Sequence, residues 1–186
     1  MDVACGDCVG CCTSSYLVKV RPHEHETLRL IPREHLEPAP GATRGELVLG
    51  YDGQGHCPMY RAPGCSIYAH RPETCRTFDC RIFSAAGMPA GGDDKSVINE
   101  RVSRWRFDHP TETDREEQRA VAAAASYLRQ HPVRFPSGRV PSRPSEIAVL
   151  AVKTYTVFLQ PPDTDAETVA AIVQASRAFD RSAAAS

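Results

Sequence analysis

Apolar positions change their period along this chain, from twos in the first third to threes and fours in the last. Leu17-Val18-Lys19-Val20 alternates as a short strand does, and Pro22 then stands where proline opens a helix that runs through Glu24 to Leu30 and closes before Pro32. Residues 36–45 read as loop. Glu46 to Tyr51 and His56 to Tyr60 predict two short strands joined by the turn tetrapeptide Asp52-Gly53-Gln54-Gly55, with Pro58 favouring an edge. Ala85 to Lys95 carries Gly87, Pro89, Gly91 and Gly92 and predicts a surface loop. Val97 to Glu100 and Arg104 to Phe107 predict a last pair of strands beside that hairpin.

Helical spacing takes over from there. Thr113 with Glu116 has the form of a capping box, and Arg115 to Gln130 follows with an alanine run of high helix propensity. Ser145 after Pro144 opens a second helix, with Ile147, Leu150, Ala151, Thr154, Tyr155 and Phe158 on one face until Pro161-Pro162. Thr164 with Glu167 caps a third, whose Val169, Ile172, Val173 and Phe179 face inward. The expected fold class is α+β. A small cysteine-rich unit of short strands and helices packs against about three C-terminal α-helices. One domain spans residues 1–186, divided into a cysteine-cluster region (5–83), a connector with strands (84–112) and a helical region (113–182).

A length of 186 residues supports one core, and 41% hydrophobic with 24% charged residues places the chain among ordinary globular proteins. Residues 1–80 hold 8 Lys and Arg against 10 Asp and Glu, and the whole chain carries a formal charge of −1. That balance argues against a nucleic-acid or anionic-lipid partner. Neither a basic, apolar leader nor a 20-residue apolar run is visible, so the expected location is cytoplasmic.

The cysteines change the picture. All 8 lie between positions 5 and 80, and in a reducing compartment such a set points to metal rather than disulfides. Cys5, Cys8, Cys11 and Cys12 form C-x2-C-x2-C-C. Three thiols at this spacing converge on one centre, with Gly6 and Gly10 supplying permissive backbone, as in the first three cysteines of a bacterial ferredoxin run. Consecutive side chains diverge, so one of Cys11 and Cys12 serves a second centre or is a structural thiol. Cys57, Cys65, Cys75 and Cys80 make the second array, with Pro72 starting a short helix that presents Cys75. Eight thiols divide as two four-cysteine zinc sites, as one iron-sulfur cluster plus one zinc, or as a cluster with spare thiols. The triplet spacing favours an iron-sulfur cluster, of 4Fe-4S type, over zinc. Either centre carries net negative charge, for which Arg61, Arg71, Arg76 and Arg81 are placed as counter-charges.

The C-x2-C-x2-C-C start, Cys57, Cys65-Ser-Ile-Tyr68 and Arg71-Pro-Glu-Thr-Cys75-Arg-Thr-Phe-Asp-Cys80 together resemble the YkgJ-type CxxCxxCC family, whose members are described as zinc- or iron-chelating. The likeness covers about residues 5–83 and takes in all eight cysteines. That domain is similar to the cysteine-rich part of flagellin lysine N-methylases, and the resemblance therefore implies redox or methyl-transfer-like chemistry at a cluster. The alternatives are a structural zinc module acting in protein interaction, and metal delivery.

Other motifs have bland readings. His56 and His70 adjoin the array, yet enough thiols exist without them, so hydrogen bonding to backbone is the better account. His23-Glu24-His25-Glu26 has i, i+2 spacing, which does not share a helix face. Arg101, Arg104 and Arg106 around Trp105 read as an exposed strand face. Tyr60 and Tyr68 read as shields over the thiols. Walker A, Rossmann, nucleophile-elbow and HExxH patterns are absent from the sequence. No catalytic residue is assigned.

Overall fold

A three-stranded antiparallel sheet organises the first part of the chain. In the computed structural model, which describes residues 3, 6–39, 45–135 and 141–184, its strand order is β1 (Val18–Val20), β3 (Leu47–Leu49), β2 (Leu36–Pro38). Val18 and Leu36 both face Leu49, while Val20 and Pro38 face Leu47. Val18 and Val20 are buried with Lys19 exposed between them, so the period-two pattern is realised as expected. α1 (His25–Leu30) follows β1 and ends at Ile31, whose N–H donates to the Thr27 carbonyl.

Two expectations fail here for one reason. Leu36 to Pro38 is a strand and not a loop, because Pro38 stands on an outer strand where a missing N–H costs nothing. With β1 and β2 on its two edges, β3 has no edge left for residues 56–60. The Asp52–Gly55 turn itself forms: Gly55 donates to the Asp52 carbonyl, and Asp52 Oδ1 accepts the N–H groups of Gln54 and His56. The chain that leaves it builds a separate two-stranded ribbon, β4 (Tyr60–Arg61) with β5 (Gly64–Cys65), around a cis Ala62–Pro63 bond. The sheet, Ile31, Met59 and Ile67 share one apolar cluster, against which Cys57, Cys65 and Cys75 pack. α2 (Glu73–Thr77) lies on β1.

The chain divides into two compact units. The first is Met1–Asp79 with Gly91–Arg101, and the second is Cys80–Ala90 with Val102–Ser186. The second unit holds α3 (Arg81–Ala85), α5 (Glu112–Gln130), α6 (Pro144–Thr154) and α7 (Asp165–Ala184), with a 3₁₀ extension of α6 over Tyr155–Phe158. α5 packs on α6 and its extension, α7 on α6, and α3 on both α5 and α6. Ala124 of α5 and Ala148 and Ala151 of α6 are completely buried. Methyl side chains at these positions let the two backbones approach closely, while Phe83, Leu128 and Ile172 fill the volume between helices. No helix among the described residues is long and apolar enough to cross a membrane.

The α+β class and the three C-terminal helices agree with the sequence reading, with four corrections. Residues 96–104 are one helix, α4, rather than strands. Ala86, Met88 and Ala90 are buried, so the stretch from Ala85 is not a surface loop. α5 starts earlier than expected: its cap is Thr111, whose hydroxyl accepts from the Asp114 N–H while Asp114 accepts from the Thr111 N–H. Phe179 does not face inward but is 46% exposed, with Lys153 Nζ 5.3 Å from its ring centre. The Thr164–Glu167 box forms as read.

Candidate metal centre

Four of the cysteines are carried by three local structures of the first unit. Cys12 sits in a 3₁₀ turn, Gly10–Thr13, held by the Cys12 N–H and the Thr13 hydroxyl, both donating to the Val9 carbonyl. The Cys12 carbonyl accepts the Cys57 N–H at 2.8 Å, which binds this turn to the start of the β4–β5 ribbon. Cys57 lies just before β4, and Cys65 ends β5 opposite Tyr60 in register. The Met59 and Tyr60 N–H groups turn back on the Cys57 sulfur, an arrangement that favours a thiolate there. Ser66 closes the ribbon through its N–H and hydroxyl, both donating to the Met59 carbonyl.

Cys75 comes from α2, a single turn of helix that needs outside support to form. Pro72 is its N-cap residue. The buried Glu24 carboxylate accepts the Glu73 N–H on one oxygen and the Arg21 N–H on the other, at 2.6 and 2.7 Å. Thr74 donates to the Lys19 carbonyl of β1. These contacts fix α2 so that Cys75 faces the apolar cluster. Glu24, read from sequence as part of a solvated helix face, is thus a buried cap. Its place between two charged-looking histidines concealed it.

Burial pushes the Cys75 thiol up to about 12, and Cys57, Cys12 and Cys65, in that order, add to the shift by like-charge repulsion, while Arg71 opposes it. Cys57 is raised as well, chiefly by burial and then by Cys65, against the Met59 and Tyr60 N–H groups and Arg61. Cys12, Cys57, Cys65 and Cys75 are therefore electrostatic neighbours. Among the described residues no three His, Cys, Asp or Glu side chains stand close enough to grip an ion as they are. The donor set nonetheless fits a thiophilic cation. Of four half-buried, unoxidised thiols, Cys57 and Cys75 are held protonated by burial, and a bound cation removes that penalty.

Cys5 lies outside the described residues. Cys8 and Cys11 are half-buried, and a methyl group on Gly10 would make ordinary van der Waals contact with the Cys8 sulfur and Ile98 of α4. Gly6 has φ +56°, the left-handed backbone the triplet spacing asks for. In the second unit Cys80 precedes α3, and its sulfur accepts the Trp105 indole N–H at 3.4 Å. Trp105, expected on a strand face, is thus a thiol's hydrogen-bond donor, with the Arg81 guanidinium 5.7 Å from its ring. Arg61 donates to the Pro58 and Tyr60 carbonyls, and Arg71 to those of Tyr68 and Val3 while stacking over the Tyr68 ring. Tyr68 is exposed; Tyr60 is half-buried with its ring edge-on to His56. His70 is exposed, and its carbonyl accepts the Thr27 hydroxyl.

Residues 4–105, more than half of the chain, match the family model CxxCxxCC, described as a putative zinc- or iron-chelating domain. No curated protein and no solved structure matches the chain.

Proposed function

Because the chain belongs to the CxxCxxCC family, we propose that it is a metal-binding protein in which Cys12, Cys57, Cys65 and Cys75 hold one thiolate-bound ion. The observation that carries this reading is that Cys57, Cys65 and Cys75 pack on one apolar cluster, with Cys57, Cys12 and Cys65 near enough to depress the ionisation of Cys75. Such a set is closed: with four protein ligands it leaves no position for substrate, which suits a zinc ion that holds the sheet, the ribbon and α2 together. In the first unit, whose strands span two or three residues each, the ion supplies folding energy that the small core does not.

A second centre draws on Cys5, Cys8 and Cys11 with one further thiol. Its spacing and the left-handed Gly6 support an iron-sulfur cluster of 4Fe-4S type. When bound, such a cluster supplies electron transfer or an open iron for group transfer; the surrounding residues exclude water from it. A reducing, cytoplasmic setting belongs to this reading, since both centres need free thiols.

The test is metal and sulfide analysis with an absorption spectrum, on protein purified without oxygen and without added metal. Cys75→Ser should remove the closed site's ion. Cys8→Ser should bleach a band near about 400 nm and leave that ion in place. Full metal content in Cys75→Ser would refute the four-thiol site. Two zinc ions and no colour in the parent protein would replace the cluster with a second structural site.

A further inference from the structure

A groove of about 420 Å³ opens on the first unit between the lead-in to α1 and the stretch before α2, within the size range of small-ligand sites. Its walls carry His23, His25, His70, Arg71 and Arg76 against two acids, Glu24 and Glu26. The acids are already committed. Both Glu24 oxygens accept backbone N–H groups, and Glu26 pairs with Arg29 at 2.5 Å. Glu73, the next acid along, takes the Arg21 guanidinium and, at 3.6 Å, His23. On the basic side, Arg71 is spent on two carbonyls and the Tyr68 ring. Arg76 and Arg71 each keep a buried Nε with no hydrogen-bond partner among the described residues, but no carbonyl or ring takes the rest of the Arg76 guanidinium as they do that of Arg71. A buried, unsatisfied guanidinium N–H is costly and calls for an acceptor. His25 and His70 are exposed on the same groove and can each donate a ring N–H.

We infer that this groove binds a phosphate dianion, free or as the monoester of a small molecule, with Arg76 as its charged anchor and His25 and His70 as further donors. A guanidinium with neighbouring N–H groups matches the tetrahedral, doubly charged oxyanion better than a single carboxylate, which would leave donors idle. The inference stands apart from the metal reading, since its groups are neither thiols nor in need of an ion.

Isothermal titration of the protein as purified, with its metal, tests it at constant ionic strength. Inorganic phosphate and glycerol phosphate are the probes and chloride is the control. Saturable one-to-one binding at millimolar concentration or below is expected, weakened about tenfold or more by Arg76→Gln and severalfold by His70→Gln, the latter with metal content unchanged. Should Arg76→Gln fail to fold, His70→Gln, on an exposed side chain, takes its place. Binding of glycerol phosphate alone assigns the site to an ester, and of inorganic phosphate alone to the free ion. Absence of saturable binding for both probes, or variants that bind as the parent does, overturns the inference.

Discussion

Proton linkage at Cys75 gives the sharpest check on the thiol site. An ordinary cysteine thiol ionises near 9.0 and Cys75 in the folded, metal-free protein near about 12. Well below pH 9 both folded and unfolded chains keep the proton, so stability is unaffected. Between pH 9 and 12 the unfolded chain gives it up and the folded chain does not, so stability falls as pH rises. At roughly 1.36 kcal/mol per unit, the loss is about 1.4 kcal/mol at pH 10 and about 4 kcal/mol once pH 12 is reached. Urea unfolding of metal-stripped protein at pH 8, 9 and 10 measures this, with Cys75→Ser as the comparison because serine has no proton to lose in that window. The parent should lose about 1.4 kcal/mol more than the variant between pH 8 and 10, about 1 kcal/mol of it above pH 9. Adding zinc should abolish the difference, since the metal-bound thiolate carries no proton in the folded state either. Parallel pH profiles for parent and variant would refute the burial and crowding assigned to Cys75.

Helix caps and packing give three further outcomes. Thr111→Ala removes the hydroxyl side of the α5 capping box, leaving the backbone N–H to Asp114, and should cost about 1 kcal/mol by denaturant unfolding, whereas Thr113→Ala should cost a few tenths; equal effects would restore the later helix start. Ala148→Leu forces a larger side chain between α5 and α6, where Ala148 is fully buried, and should lower stability by about 1–3 kcal/mol. On α7, Ile172→Ala should cost about 2–5 kcal/mol and Phe179→Ala less than about 0.5 kcal/mol, because the isoleucine is enclosed and the phenylalanine is not. A reversed order in thermal melts would place the buried face of α7 elsewhere.

Periodicity served where one reading dominated and misled where two competed. Val97-Ile98 has the β-branched character of a strand, yet Ile98 and Val102 are the buried pair and Val97 is 42% exposed, which is helical spacing of four. The stretch beginning at Thr111 contains two overlapping capping patterns, and the chain uses the earlier, with an aspartate in the third position. Leu36 to Pro38 could not be read as a strand because its pairing is decided by which edge β3 leaves free, a non-local fact. The cysteine array was visible from spacing alone. Which thiols gather was not visible. That follows from the Cys57 N–H on the Cys12 carbonyl and from Glu24 bracing α2, contacts across 45 and 49 residues of sequence.

Those separations impose an order on the life of the chain. The Cys12 turn leaves the ribosome long before Cys75, and the brace on α2 cannot form until Glu73 follows Glu24 out. Closing such wide loops is slow compared with forming a helix or a hairpin. In the proposed four-thiol site Cys12 and Cys57 would therefore wait during synthesis as unprotected thiols, open to oxidation or to the wrong ion, until Cys75 arrives. Assembly is timed by its slowest member, so oxygen or metal starvation should do most of its damage to newly made chains and little to those already closed.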